Sequence, residues 1–264
     1  HLAHRRQRQM CIRDRPCLRR VQELNKFSRR KLEKSGQWQV TMADPLAVVF
    51  DCDGVLASNG SSWQSIHENF GTENREMFSR FVKREIDDDE FMADDVSKWM
   101  QKRERIHKDD IARCYSGVKL MDGAREVVSR LQERGALVAI VSSGVDVFVG
   151  MVASMLKVDD WIANGFEWDE EGWMIGPLPS RVLSFEKGLA VEKFRRINDL
   201  SPGEIISVGD SGSDLSMKIE GSGFIAFNPS ARWSLEAFEA ASVPIVDSDD
   251  LRNIWPLLFD GEEF

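Results

Sequence analysis

The run Leu46–Phe50 (LAVVF) stops on the polar sequence Asp51-Cys52-Asp53-Gly54. A short apolar run rich in β-branched residues reads as a strand buried on both faces, as in parallel sheets. Ala136–Val141 (ALVAIV) repeats the pattern and stops on Ser142-Ser143-Gly144, and Glu204–Val208 (EIISV) stops on Gly209-Asp210. Gly223–Ala226 and Val243–Val246 are weaker strand candidates. Helical patterns lie between them at Ala124–Arg134, Val145–Leu156, Glu186–Ile197, Leu215–Glu220 and Ala231–Ala241. Strands alternating with helices predict an α/β fold, a Rossmann-like doubly wound parallel sheet covered on both faces. Residues 166–175 (FEWDEEGWMI) predict a hairpin turning at Asp-Glu-Glu-Gly.

One interval breaks the alternation. Residues 58–117 contain no strand-like run, only helical patterns at Ser61–Phe70, Glu73–Arg84, Asp87–Gln101 and Lys108–Ser116. They predict a small inserted helical cap, with residues 42–57 and 118–264 forming the core. Residues 1–41 differ in character. The first forty residues hold twelve Lys/Arg against three Asp/Glu, a net of +9, while the whole chain carries -9, so the body carries -18. The basic segment reads either as an arm for nucleic acid or anionic membrane, or as a disordered or non-native extension. The second reading is the expectation, since Met42 opens a more ordinary start ahead of the first strand.

The acidic body argues against a nucleic-acid surface. No apolar run is long enough to span a membrane, and the N-terminus has no apolar h-region, so no membrane partner is expected. Four cysteines, Cys11, Cys17, Cys52 and Cys114, show neither a disulfide framework nor zinc-site spacing, which suits a reducing cytoplasm.

In open α/β sheets, ligands bind beyond the carboxyl ends of the strands. Those ends carry Asp51 and Asp53, then Ser142, Ser143 and Gly144, then Asp210 and Asp214. Four carboxylates at one edge repel one another unless a cation joins them. Mg²⁺ suits such a site, because it takes hard oxygen ligands and accepts one or two carboxylates plus a substrate phosphate. Lys187, at a helix start, would add a second positive charge. The implied chemistry has Asp51 attacking phosphorus and Asp53 as acid and then base. Lys187, the Ser142 hydroxyl and backbone N–H groups would hold the phosphoryl oxygens. Gly54, Gly144 and Gly212 would let the backbone approach the phosphate.

Four segments carry a family resemblance. They are Val48–Leu56 (VVFDCDGVL), Val138–Asp146 (VAIVSSGVD), Phe185–Gly188 (FEKG) and Val208–Met217 (VGDSGSDLSM). In this order they resemble the four motifs of the haloacid dehalogenase superfamily of phosphohydrolases, and the chain looks like its phosphoserine phosphatase branch from about Pro45 onward. The resemblance implies Asp51 as nucleophile and Asp53 as acid/base. It also implies Mg²⁺ held by Asp51, the Asp53 carbonyl and Asp210, with Asp214 in support. The expected function is Mg²⁺-dependent hydrolysis of a small phosphate monoester, phosphoserine-like, through an aspartyl-phosphate. A phosphotransferase or mutase using the same intermediate, or a non-catalytic regulator that binds a phosphorylated ligand, are the alternatives. Three features depart from the branch, one being Ser213 where its fourth motif usually has Asn. Ala57–Ser61 lacks the acid that usually meets the substrate ammonium, and Phe91–Val96 lacks the Arg that usually meets its carboxylate.

Other residues have simpler expectations. His67 is read as core-facing or solvated, with pocket lining as the alternative. His107 is placed near a helix start. Trp63 and Trp99 are read as cap packing, Cys52 as core, and the acidic runs at 87–90 and 247–250 as helix N-terminal turns.

Overall fold

The computed structural model describes residues 44–229 and 231–264. The expectation for residues 1–41 lies outside the described residues. Strand β1 (Ala47–Phe50) pairs in parallel with β2 (Leu137–Val145) on one side and β6 (Ile205–Gly209) on the other. The six-stranded order is β3-β2-β1-β6-β7-β8, with β3 at Asp160–Asn164, β7 at Gly223–Phe227 and β8 at Ile245–Val246. Strands β4 (Phe166–Trp168) and β5 (Met174–Pro177) form the expected antiparallel hairpin.

The register sets the site. Phe50 lies opposite Ile140 on β2 and Val208 on β6. One residue further, Asp51 is level with Val141 and Gly209, so the polar turns after all three strands open on one edge. Alternation along β1 divides the core. Val48 and Phe50 pack on one face with Val127, Leu131, Val149 and Trp255. Ala47 and Val49 pack on the other with Val191, Phe194 and Phe238. All four β1 side chains are fully buried, so truncating Phe50 to Ala would cost about 3–5 kcal/mol.

Four helices follow β1: α1 (Ser62–Phe70), α2 (Arg75–Val82), α3 (Asp88–Lys102) and α4 (Lys108–Cys114). Their ends are specified locally. Ser61 caps α1 by accepting from Gln64 N, and α1 stops at Gly71 with φ of 66°. Asp87 caps α3 by accepting from Glu90 N, and Asp88, Asp89 and Glu90 follow in the first turn, where carboxylates favour the helix dipole. His107 caps α4 by accepting from Asp109 N, and its own N–H donates to Asp110 Oδ2 at 2.9 Å. The remaining helices are α5 (Ala124–Glu133), α6 (Asp146–Leu156), α7 (Gly188–Ile197), α8 (Arg232–Ala240) and the short α9 (Trp255–Leu258).

Two elements differ from expectation. The predicted helix at Leu215–Glu220 is instead a 3-10 segment, Gly212–Met217. Asp214 and Ser211 bond to each other's backbone and side chain there, and Met217 is drawn fully into the core, which tightens the turn. Strand β3 has no counterpart in the expectation. It is an edge strand with only its last two residues buried, and its sequence DWIAN lacks an apolar run.

Candidate active site

The turn after β1 carries Asp51, 5% exposed, at the floor of a cavity of about 710 Å³. Lys187 enters from the residue just before α7. Its backbone N–H donates to Ser216 Oγ at 3.0 Å, which fixes the start of the helix against the 3-10 segment. The Lys187 ammonium donates to Asp51 Oδ1 at 2.7 Å and to Asp214 Oδ1 at 2.6 Å. Burial alone would lower the Lys187 pKa, but the Asp214 and Asp51 carboxylates outweigh it and hold the ammonium charged. Asp214 Oδ2 accepts from Ser211 N at 2.9 Å. Both Asp214 oxygens are therefore engaged, and the residue braces Lys187.

Asp51, Asp210 and Asp214 each bring a carboxylate oxygen within 4.8 Å of the others. Burial raises Asp51 to about 7 despite Lys187, with Asp214 and Asp53 adding to the rise. Burial, then Asp214 and Asp51, push Asp210 well above the carboxylate range. One lysine is too little charge for this cluster. Among the described residues no group donates a hydrogen bond to the Asp210 side chain. A hard divalent cation fits such oxygens, and Asp51 and Asp210 are the carboxylates left to hold it. Gly54 makes room. Its φ is 77°, and a Cβ there would lie 2.5 Å from Asp210 Oδ2.

Asp53 is held differently. Asn59 Nδ2 donates to its Oδ1 at 2.6 Å, and Ser62 Oγ donates to its Oδ2 at 2.8 Å. Burial raises its pKa, while the Ser62 and Asn59 bonds oppose the rise. Sequence reasoning missed both donors. Polar residues eight and eleven positions after Asp51 carry no signal until the chain folds back. Ser62 is fully buried, and its Oγ also accepts from Val145 N at 3.0 Å. One hydroxyl thus joins the first residue of α1, the acid and the end of β2.

After β2, Ser142 is 1% exposed and its Oγ accepts from Gly144 N at 3.1 Å. Ser143 turns its carbonyl to Trp63 Nε1 at 3.0 Å and Asn164 Nδ2 at 3.3 Å. Gly144 is needed for close packing, because a Cβ there would lie 2.5 Å from Asp53 Oδ2. Gly212 differs from its expected role. A Cβ there would lie 2.5 Å from the Trp233 ring, so its smallness serves packing against α8.

Helices α1, α2 and α3 form the other wall. Asp88 Oδ1 accepts from Ser184 N and Oγ, and Asp89 Oδ1 accepts from Ser180 N and Oγ. The start of α3 is thereby fastened to the loop leading to Lys187. Trp63 stacks on Trp99 at 5.9 Å. Phe78, Phe81, Phe91 and Phe185 make an aromatic stretch of the lining. His67 is 2% exposed and lines the cavity. His107, Cys52 and the run at 87–90 stand as expected, and Asp250 caps the 3-10 segment Leu251–Ile254.

A parallel sheet with an acidic cluster and a buried lysine at its carboxyl edge defines the class of site. The chain belongs to the haloacid dehalogenase-like hydrolase family, whose profile matches residues 48–217. Among its relatives, a phosphoserine phosphatase of Archaeoglobus fulgidus is 30% identical over 78% of this chain. The match spans 61% of that protein's own length. A phosphoserine phosphatase of Methanocaldococcus jannaschii is 25% identical over 64% of this chain and 79% of its own length. Among solved structures, an apo phosphoserine phosphatase superposes with a TM-score of 0.62 at 26% identity, covering 79% of this chain and 96% of that one. A phospho-aspartyl intermediate analogue of phosphoserine phosphatase gives 0.66 at 23% identity, covering 81% and 99%, and shares the fold.

Proposed function

We propose that the chain hydrolyses a small phosphate monoester in a Mg²⁺-dependent reaction, with Asp51 as nucleophile. The observation that carries the reading is the Lys187 bridge. It joins Asp51 to Asp214 beside Asp210 at the floor of a cavity that also reaches Asp53. A pure binding site for phosphate would gain nothing from a buried carboxylate facing the anion.

In this reading an Asp51 oxygen attacks phosphorus, and the bond from phosphorus to the ester oxygen breaks. Asp53 gives its proton to the departing alkoxide, so an alcohol leaves and an aspartyl-phosphate remains. Asp53 then takes a proton from water as that water attacks phosphorus, which frees Asp51 and inorganic phosphate. The raised Asp53 pKa favours the protonated start. The Ser142 hydroxyl, the Ser143 N–H and the Lys187 ammonium receive the phosphoryl oxygens. Mg²⁺, held by Asp51, the Asp53 carbonyl and Asp210, would offset the charge of the phosphoryl group.

The free thiols of Cys52 and Cys114 fit a reducing compartment, and we assign the enzyme to the cytoplasm. No described helix is long and apolar enough to cross a membrane. Hydrolysis of p-nitrophenyl phosphate by the chelated protein, before and after Mg²⁺ is added back, tests the proposal. Turnover should appear with the metal. Its absence from the folded, metal-supplied protein would remove the enzymatic reading.

A further inference from the structure

The cavity contains an acid that the chemistry at Asp51 does not use. Along α3, Asp88, Phe91, Met92 and Asp95 line the cavity at helical spacing, one stripe facing inward. Asp95 is 0% exposed. Its Oδ1 accepts from His67 Nε2 at 2.9 Å and from the Asn74 amide. Its Oδ2 is buried and has no hydrogen-bond partner among the described residues.

Burial outweighs what the neighbours His67 and Lys98 supply to Asp95. Trp99 Nε1 donates to His67 Nδ1 at 3.2 Å, and the Thr72 hydroxyl lies 2.7 Å from the same nitrogen. Indole N–H can only donate, so His67 Nδ1 accepts and the ring proton sits on Nε2, facing Asp95. His67 Nε2 is therefore the donor to Asp95 Oδ1. Lys98, the nearest ammonium, is held by Asp94 Oδ2 at 2.7 Å and Asn74 Oδ1 at 2.7 Å. Burial raises the Asp95 pKa, although the His67 bond and charge and Lys98 oppose the rise. A buried carboxylate with one bare oxygen is costly. A cationic group arriving in the cavity would offset that cost.

The rest of the wall agrees in sign. The cap residues of the lining include the acids Glu68, Asp88 and Asp95 against one cation, Arg75. The Arg75 side chain is 91% exposed and pairs with Glu73 at 3.3 Å, so it stands at the mouth in solvent. Phe81 and Phe91 stack at 4.7 Å and give the wall an apolar, π-faced body that suits alkyl groups and ammonium alike.

We propose that Asp95 is a specificity residue that receives an ammonium on the alcohol half of the substrate. The preferred substrate is then the phosphate ester of an amino alcohol that lacks a carboxylate. The inference rests on the phosphatase reading above and supplies its substrate class. A cation-seeking acid comes from the cap helix α3, while Arg75, the one cation among the described cap residues of the lining, stands in solvent.

The test compares the Mg²⁺-loaded protein on phosphoethanolamine and longer aminoalkyl phosphates with n-alkyl phosphates of equal length. For at least one length the amino ester should win by roughly tenfold or more in kcat/KM, mainly through KM, as a charge-assisted hydrogen bond requires. Phosphoserine should be poorer than phosphoethanolamine. In Asp95→Asn the ratio of amino to neutral ester should collapse toward one. A wild-type ratio near one at every length would overturn the assignment, as would an undiminished ratio in Asp95→Asn. A preference for phosphoserine would overturn the carboxylate-free class and point to Arg75. The wild-type series decides the matter even if Asp95→Asn does not fold. Turnover of p-nitrophenyl phosphate in parallel separates failure of this inference from failure of the phosphatase reading.

Discussion

Ser62 Oγ lies 2.8 Å from Asp53 Oδ2, and the same hydroxyl accepts from Val145 N at 3.0 Å. The first residue of the cap helix α1 therefore orients the proposed acid against the end of β2. Asn59 fixes the other carboxylate oxygen. Ser62→Ala should leave Asp53 free to turn. Alkyl phosphates have poor leaving groups and need the proton most. Their kcat/KM should fall about tenfold or more, while p-nitrophenyl phosphate loses less. Ser62→Thr should restore part of the difference. Equal losses on both ester types would mean that Ser62 has only a structural role.

Gly144→Ala tests the same arrangement from the other side. A Cβ at 144 would stand 2.5 Å from Asp53 Oδ2 and 2.7 Å from Ser62 Oγ. The clash falls on two fixed polar atoms in the buried site. Turnover of alkyl phosphates should drop at least as far as in Ser62→Ala, with the fold retained by circular dichroism. Unchanged kinetics would show that the acid is not held where these distances put it.

Lys187→Met removes the single ammonium between Asp51 and Asp214. Breaking a buried pair by deleting one partner typically costs about 3–5 kcal/mol, because the remaining charges are left uncompensated. Urea unfolding of the metal-free protein should show a loss of that order. Turnover should fall by about a hundredfold or more, since the phosphoryl charge loses a fixed counter-charge. Lys187→Arg should not restore it, because a planar guanidinium cannot occupy the position of the compact ammonium.

These outcomes also show what could be read before folding. The strand ends and the order Asp51, Asp53, Ser142, Lys187, Asp210, Asp214 were legible, because a buried parallel strand has a plain apolar signature and its polar exit is abrupt. Strand β3 was not, since an edge strand half in solvent needs no apolar run. Neither was the 3-10 segment at Gly212–Met217, where reciprocal Ser211–Asp214 bonds override helical spacing. Asn59 and Ser62 carry no sequence signal, because their contact with Asp53 forms only when the chain folds back. Asp95 and His67 are 28 residues apart, and their pairing depends on how α1 packs against α3.

The metal-free protein should lose stability as pH rises from about 4 to about 7. Burial raises Asp51 from 3.8 to about 7 in the folded state. Asp53, Asp88, Asp95 and Asp210 shift the same way. A folded-state pKa above the unfolded one gives stability that is present below the unfolded pKa and lost as pH rises through the folded one. Thermal melts in chelator should show the decline. Added Mg²⁺ should raise Tm more at pH 7 than at pH 4, because protons compete with the metal for Asp51 and Asp210 at the lower pH. A Tm that climbs through this range in chelator would contradict the assignment.

The account depends most on Asp51 carrying the phosphoryl group. Mg²⁺-loaded protein mixed with a phosphate-labelled monoester and quenched in acid within one turnover reports this directly. The account predicts label on Asp51 as a hydroxylamine-sensitive acyl phosphate, located by peptide mass spectrometry and absent from Asp51→Asn. Rapid turnover with no label on Asp51, or with label on another residue, would contradict it.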